Sequence, residues 1–189
     1  MADGSAVPQN SSVQLRNLST GDSVSTRVEA EGEFSFRFNS IPPGRYEFAV
    51  IQGRYFLVNS LSATGAKVFG QILQITSGQE FRISAVISRG GTPIDGVALH
   101  NGKPAPGVMV LLVPADPENH PSFFRRTQSD SDGTFTLPNA FPGRYTAIAF
   151  EDGWNLEWAR LAVLQKFLPH GEPLEVVARQ KYNLTVNVQ

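Results

Sequence analysis

The sequence predicts an all-β fold of two tandem β-sandwich modules, the second carrying a short helical insertion. Three observations carry that expectation. Apolar and polar residues alternate with period two in one segment after another, Gly, Pro, Asn and Asp punctuate those segments at short intervals, and one composite motif occurs twice, about 100 residues apart.

Alternation marks a half-buried strand because successive side chains point to opposite faces. Phe34, Phe36 and Phe38 alternate with Glu33, Ser35, Arg37 and Asn39, and Phe81, Ile83, Ala85 and Ile87 alternate with Arg82, Ser84 and Ser88, with Val86 alone breaking the polar face. At the end of the chain Tyr182, Leu184, Val186 and Val188 face a core, and Asn183, Thr185, Asn187 and Gln189 face water. The run 108–113 is apolar on both faces, so it reads as a central strand covered on both sides, by its own module or by a neighbouring one. Turn signals at 19–22, 101–104, 132–133 and 142–143 separate the strands.

The repeat sets the domain count. Glu31-Gly32-Glu33-Phe34 followed by Pro43-Gly44-Arg45-Tyr46 returns as Asp132-Gly133-Thr134-Phe135 followed by Pro142-Gly143-Arg144-Tyr145. That offset is the usual size of one Ig-like sandwich. The modules are expected at 1–91 and 92–189, joined through the Gly/Pro-rich stretch 88–95. One segment departs from the β pattern: Leu156, Leu161, Leu164 and Phe167 recur at mixed spacings, Asn155 can cap, and Pro169 and Gly171 close, so a short helix is expected over 155–167. The matching stretch of the first module, 55–70, reads as strand.

Composition narrows the function classes. The chain has 189 residues, 41% of them hydrophobic and 17% charged, which is a globular composition. Sixteen Lys and Arg against 17 Asp and Glu, without a basic stripe, give no nucleic-acid footprint. There is no apolar run of the roughly 18 residues a membrane span requires, and the first residues lack the features of a signal peptide. Without cysteine there is no disulfide, thiolate nucleophile or cysteine-based zinc site.

Taken in order, several motifs resemble the carboxypeptidase regulatory-like family, a transthyretin-like or prealbumin-like β-sandwich that recurs in tandem in exported bacterial proteins. They are Asn101-Gly102-Lys103-Pro104 leading to Gly107-Val108, the strand over 109–114, Asp130 to Phe135, and Phe141-Pro142-Gly143-Arg144-Tyr145. Gly107 and Gly133 suit positive φ, Pro142-Gly143 suits a type II turn, and Phe135 and Tyr145 are large enough to anchor the space between two sheets. The first module matches only from about Ser12 and lacks the opening strand. Either that strand lies outside the chain or residues 4–9 take its place, since an open sheet edge must be covered. The resemblance implies an accessory scaffold without a zinc site, located in the periplasm, at the cell surface or outside the cell as part of a larger exported protein.

Candidate chemistry is sparse. His100, His120 and His170 lack the spacing of a hydrolytic zinc site, and neither a nucleophile elbow nor a phosphate-binding loop occurs. Asp130 and Asp132 before Gly133 resemble the opening of a calcium loop, but Asn139 stands where a bidentate acid belongs, so a plain turn is the better account. Trp154 and Trp158, with Asp152 and Glu157 beside them, form either an aromatic platform for a sugar ring or packing residues one helical turn apart. The triplets at Asn10, Asn17 and Asn183 fit the glycosylation pattern but carry little weight in a bacterial protein.

These observations lead to the expectation of a non-catalytic spacer or assembly module of a larger exported bacterial cell-envelope protein, with no cofactor. Its expected partners are other domains of that protein and, in the alternative reading, a polysaccharide or envelope protein bound at Trp154 and Trp158.

Overall fold

The computed structural model describes all residues except 3, 5, 9, 30–34, 77–79 and 159, so Phe34 and the Glu31-Gly32 turn lie outside the described residues. The fold is all-β, and the chain divides by its contacts into two compact units, Met1–Arg89 and Gly90–Gln189. Among the described residues no helix is long and apolar enough to cross a membrane.

In the first unit β1 (Ser12–Asn17) pairs antiparallel with β2 (Ser23–Arg27) on one side and with β3 (Gly44–Gln52) on the other. Two-residue β4 (Arg54–Tyr55) folds back on β3, β5 (Leu57–Thr64) leaves for a second sheet, and β6 (Lys67–Phe69) with β7 (Ile72–Ile75) completes the order β2-β1-β3-β7-β6. The second sheet is the antiparallel pair of β5 and β8 (Arg82–Ser88). The period-two pattern decides which side chains meet: Val13 and Leu15 lie opposite Val50 and Phe48, and these join Leu73, Ile75, Val58 and Ile87 in one core between the sheets.

The second unit is a sandwich of two four-stranded sheets. One contains β9 (Thr92–His100), β10 (Lys103–Pro104), β13 (Thr134–Ala140) and β16 (Asn183–Asn187). The other has the order β12-β11-β14-β15, from β11 (Met109–Pro114), β12 (Arg125–Gln128), β14 (Gly143–Phe150) and β15 (Glu172–Val176). Within the first sheet β9 pairs antiparallel with β13 and parallel with β16. Alternation puts Ile94, Ala98, Phe135, Leu137 and Val186 on one inner face, and Val110, Leu112, Tyr145, Ala147 and Ala149 on the other.

All six residues of β11 are buried, which requires a cover on its second face too. The unit supplies that cover itself: Leu111, Val113, Ile148 and Phe150 pack against Leu164, Leu156, Trp158, Phe167 and Leu168. Each large apolar side chain so buried contributes about 1.5–3 kcal/mol relative to exposure. The cover is not the single helix expected over 155–167. It consists of a 3-10 turn at Gly153–Asn155, one α turn, α1 (Leu161–Leu164), and a 3-10 turn at Leu168–His170. Asn155 ends the first turn and caps nothing. The irregular spacing of the apolar residues explains the break, because a continuous helix would turn several of them away from the sheet. The ends of the segment lie flat on the sheet at Gly153 and Gly171, where an added Cβ would stand 2.8 Å from Met109 and 2.5 Å from Ile148.

The repeated Pro-Gly-Arg-Tyr motif builds the same device in both units. Tyr46 Oη donates to Pro42 O at 2.9 Å, and Tyr145 Oη donates to Phe141 O at 2.8 Å, each reaching back four residues. This is the hydroxyl-to-upstream-backbone bond that fixes a sandwich corner. The expected type II turn is absent at Gly143: its φ of 153° is far from the roughly +80° such a turn needs, and the residue already pairs with Val176 in the sheet. The φ of Gly143 is one that residues with a Cβ rarely adopt, whereas Gly44 makes room for its tyrosine: a Cβ there would stand 3.1 Å from the Tyr46 ring.

Burial raises the pKa of the Tyr145 hydroxyl well above the usual tyrosine value, and the Arg125 charge offsets part of that rise. A raised folded-state pKa means that the unfolded chain loses its proton first, so this contribution is intact below about pH 10 and declines as pH rises beyond it. Tyr145→Phe is expected to cost about 1–2 kcal/mol in urea unfolding at neutral pH. The gap between wild type and variant should narrow above about pH 10, and a gap independent of pH would contradict this account of Tyr145.

Candidate functional site

Trp154 and Trp158 come together, but through a third residue. In register β12 sets Arg126 opposite Leu111, which places it on the covered outer face at the sheet's edge strand. Its guanidinium carbon lies 5.4 Å from the Trp154 ring centroid and 4.8 Å from that of Trp158. Trp158 also packs on the core under the cover, with Phe124 at 6.3 Å between ring centroids. Trp154 remains 48% exposed. The arrangement is an indole–guanidinium–indole stack, with one indole joined to the core and the other at the surface. The acidic residues expected at its rim are used elsewhere. Glu157 is exposed and pairs with Arg160 at 2.9 Å, and Asp152 takes a left-handed conformation with φ 53° and borders a different cleft.

That cleft, about 370 Å³, is lined by His100, Pro104, Pro106, Gly107, Glu151 and Asp152 among others. His100 Nδ1 and Glu151 Oε1 meet there at 2.5 Å, both well exposed. His120 contacts its own loop through Asp116 and lies 4.9 Å from the Phe123 ring, and His170 is exposed at the end of a 3-10 turn. Among the described residues no three His, Asp or Glu side chains converge as metal ligands.

Asp130 and Asp132 form a turn whose carboxylate is already engaged. Asp132 Oδ1 accepts from Thr134 Oγ1 at 2.6 Å and from Thr134 N at 3.0 Å, while Gly133 N donates to Asp130 O and Asp130 N to Thr134 O. Gly133 supplies the positive φ of 79° that the turn needs. The Thr134 hydroxyl and then its backbone N–H hold the Asp132 carboxyl below the usual aspartate range.

Arg126 was not among the residues singled out from sequence, although it follows Phe124 at the period-two spacing that puts both on the same face as the tryptophans. Its neighbour Arg125 faces the other way. It donates to Asn139 O, Ser122 O and Phe124 O at 2.7 Å and stacks over Phe141 at 4.8 Å, so it clamps the loop before β12 to the end of β13.

No family model matches the chain, and no curated protein matches it. Among solved structures the Bacillus anthracis TIE protein is similar, with a TM-score of 0.35 and 13% identity over 97% of this chain. The chain spans about a third (32%) of that protein's length.

Two outcomes follow from this geometry. Trp158→Ala is expected to destabilise the protein by about 2–3 kcal/mol and Trp154→Ala by less than about 1 kcal/mol, read from urea melts; equal costs would contradict the division of roles. For Asp132 the depressed folded-state pKa adds stability above the unfolded value, which is lost as pH falls through the folded one. Asp132→Asn should therefore flatten the fall in melting temperature below about pH 4. An unchanged acid limb would remove the Thr134 contacts as its cause.

Proposed function

We propose that this chain is a non-catalytic structural or assembly element of a larger exported bacterial cell-envelope protein, built from prealbumin-like modules of the carboxypeptidase regulatory-like kind and working in the periplasm, at the cell surface or outside the cell. The observation that carries this reading is that the side chains with chemical potential are engaged by neighbours in the chain: Trp158 by the core and Arg126, Asp132 by Thr134, and Glu157 by Arg160. The shared corner device and the matching order of one sheet in each unit, β2-β1-β3-β7 and β12-β11-β14-β15, further support repeated scaffold modules. Other domains of the parent protein are the natural partners of such an element.

One observation favours a second reading. Trp154 is half exposed, and an exposed indole beside a fixed cation resembles the surfaces that bind sugars by stacking. Tryptophan emission, quenched by acrylamide and followed during titration with soluble polysaccharides, separates the two. The scaffold reading expects emission that ignores every glycan while Trp154 alone remains quenchable. A saturable shift with one glycan, abolished in Trp154→Ala, would replace it with a carbohydrate-binding module.

A further inference from the structure

Arg126 is held differently from the other arginines with fixed partners. Arg16 and Arg160 pair with Glu47 and Glu157, each at 2.9 Å, and Arg125 donates to three backbone carbonyls. Arg126 is fixed by ring faces alone, those of Trp154 and Trp158. Cation–π attraction orients a guanidinium without using its donors, so the N–H groups still require acceptors. Among the described residues no carbonyl or carboxylate provides one.

Position and charge then select a ligand. Arg126 is exposed on β12, the edge strand of its sheet, and the two acids nearest the tryptophans in sequence do not neutralise it: Glu157 pairs with Arg160, and Asp152 borders the His100 cleft. A guanidinium whose donor edge is free calls for a planar acceptor that takes two bonds at once, which a carboxylate supplies. The adjoining indoles lower the local dielectric, so that ion pair is stronger than one formed in open water. Half-exposed Trp154 adds a flat apolar surface suited to the face of a sugar ring. A neutral sugar meets only the second demand, whereas a sugar that carries a carboxylate meets both.

We propose that Arg126 and Trp154 form a binding site for an acidic polysaccharide: a uronic acid residue places its carboxylate on the donor edge of Arg126 and its ring on the exposed part of Trp154. Trp158, joined to the core, is a positioning residue that holds the guanidinium in place before the ligand arrives. The inference rests on the second reading given above, that this surface binds sugar, and adds the charge that the sugar must carry.

The probes are oligogalacturonate and oligomannuronate, each compared with its methyl-esterified form, which keeps the ring and removes the charge. They are titrated calorimetrically into the full chain. Saturable binding of at least one acid is expected, tighter than that of its ester by at least about tenfold and weakening as salt rises from about 50 to about 500 mM. Arg126→Gln should reduce the acid to the affinity of its ester, and Arg126→Lys, which keeps the charge but not the paired donors, should fall between the two. Circular dichroism establishes that the variants are folded; if Arg126→Gln is not, Arg126→Lys decides. Equal binding of acid and ester, lost in Trp154→Ala, would overturn the charge requirement and leave sugar binding standing, whereas absence of binding by all four probes would overturn both. Acid binding that ignores the Arg126 variants would overturn the site. So would tighter binding of a tetraglutamate peptide, since the occupant would then be an acidic peptide.

Discussion

A strand that is apolar on both faces must be covered twice, and the second unit is organised around that requirement. β11 has no exposed residue, so one face meets the opposing sheet and the other must be kept from water by something else. The segment between β14 and β15 does this with side chains spaced too irregularly for one helix, which is why it is laid down as three short turns pinned at Gly153 and Gly171. The aromatic site follows from the same requirement. Trp158 is where it is because the face under it is apolar, and Trp154 and Arg126 meet at the margin where the cover ends at an edge strand.

The tyrosine corners show a motif conserving an interaction more strictly than a turn type. Pro-Gly-Arg-Tyr suggests a type II turn on residue preferences alone, yet in the second unit its glycine pairs with Val176 in the sheet, at a φ of 153° that such a turn does not use. What the two copies share is a buried ring whose hydroxyl reaches the carbonyl four residues back, at 2.9 and 2.8 Å. A buried phenol without a partner would lose about 1–3 kcal/mol of hydrogen bonding, so the carbonyl is as necessary to the motif as the tyrosine. In the first unit the glycine two positions before the tyrosine also leaves room for the ring.

Much of the fold was legible because period two survives burial. The alternation over 81–88 and 182–189 appears in the structure as alternating exposure, and the double-sided run at 108–113 identified the central strand before its cover was known. The form of the cover was less legible, since Leu156, Leu161, Leu164 and Phe167 fit a helical pattern loosely and the sheet beneath determines the outcome. Of the candidate site, the tryptophan pair was visible as a spacing of four. Arg126 was not, because it lies about 30 residues away and meets the indoles only through the pairing of β12 with β11. Asp152 and Glu157 lie next to the tryptophans in sequence, but an irregular segment does not keep sequence neighbours on one face.

The two units share the order of one sheet and differ in the other. In the second unit β9 pairs antiparallel with β13 and parallel with β16, and the inward side chains Leu137 and Val186 are buried. Among the described residues of the first unit β8 pairs antiparallel with β5, and its Ile87 O accepts from Ala2 N. Phe36 and Ala85 are partly buried there, beside Met1 and Val7 of the N-terminal segment. Main-chain pairing can differ between two such sheets more freely than the packing beneath them, because ladder bonds need only an edge whereas close packing needs a particular volume.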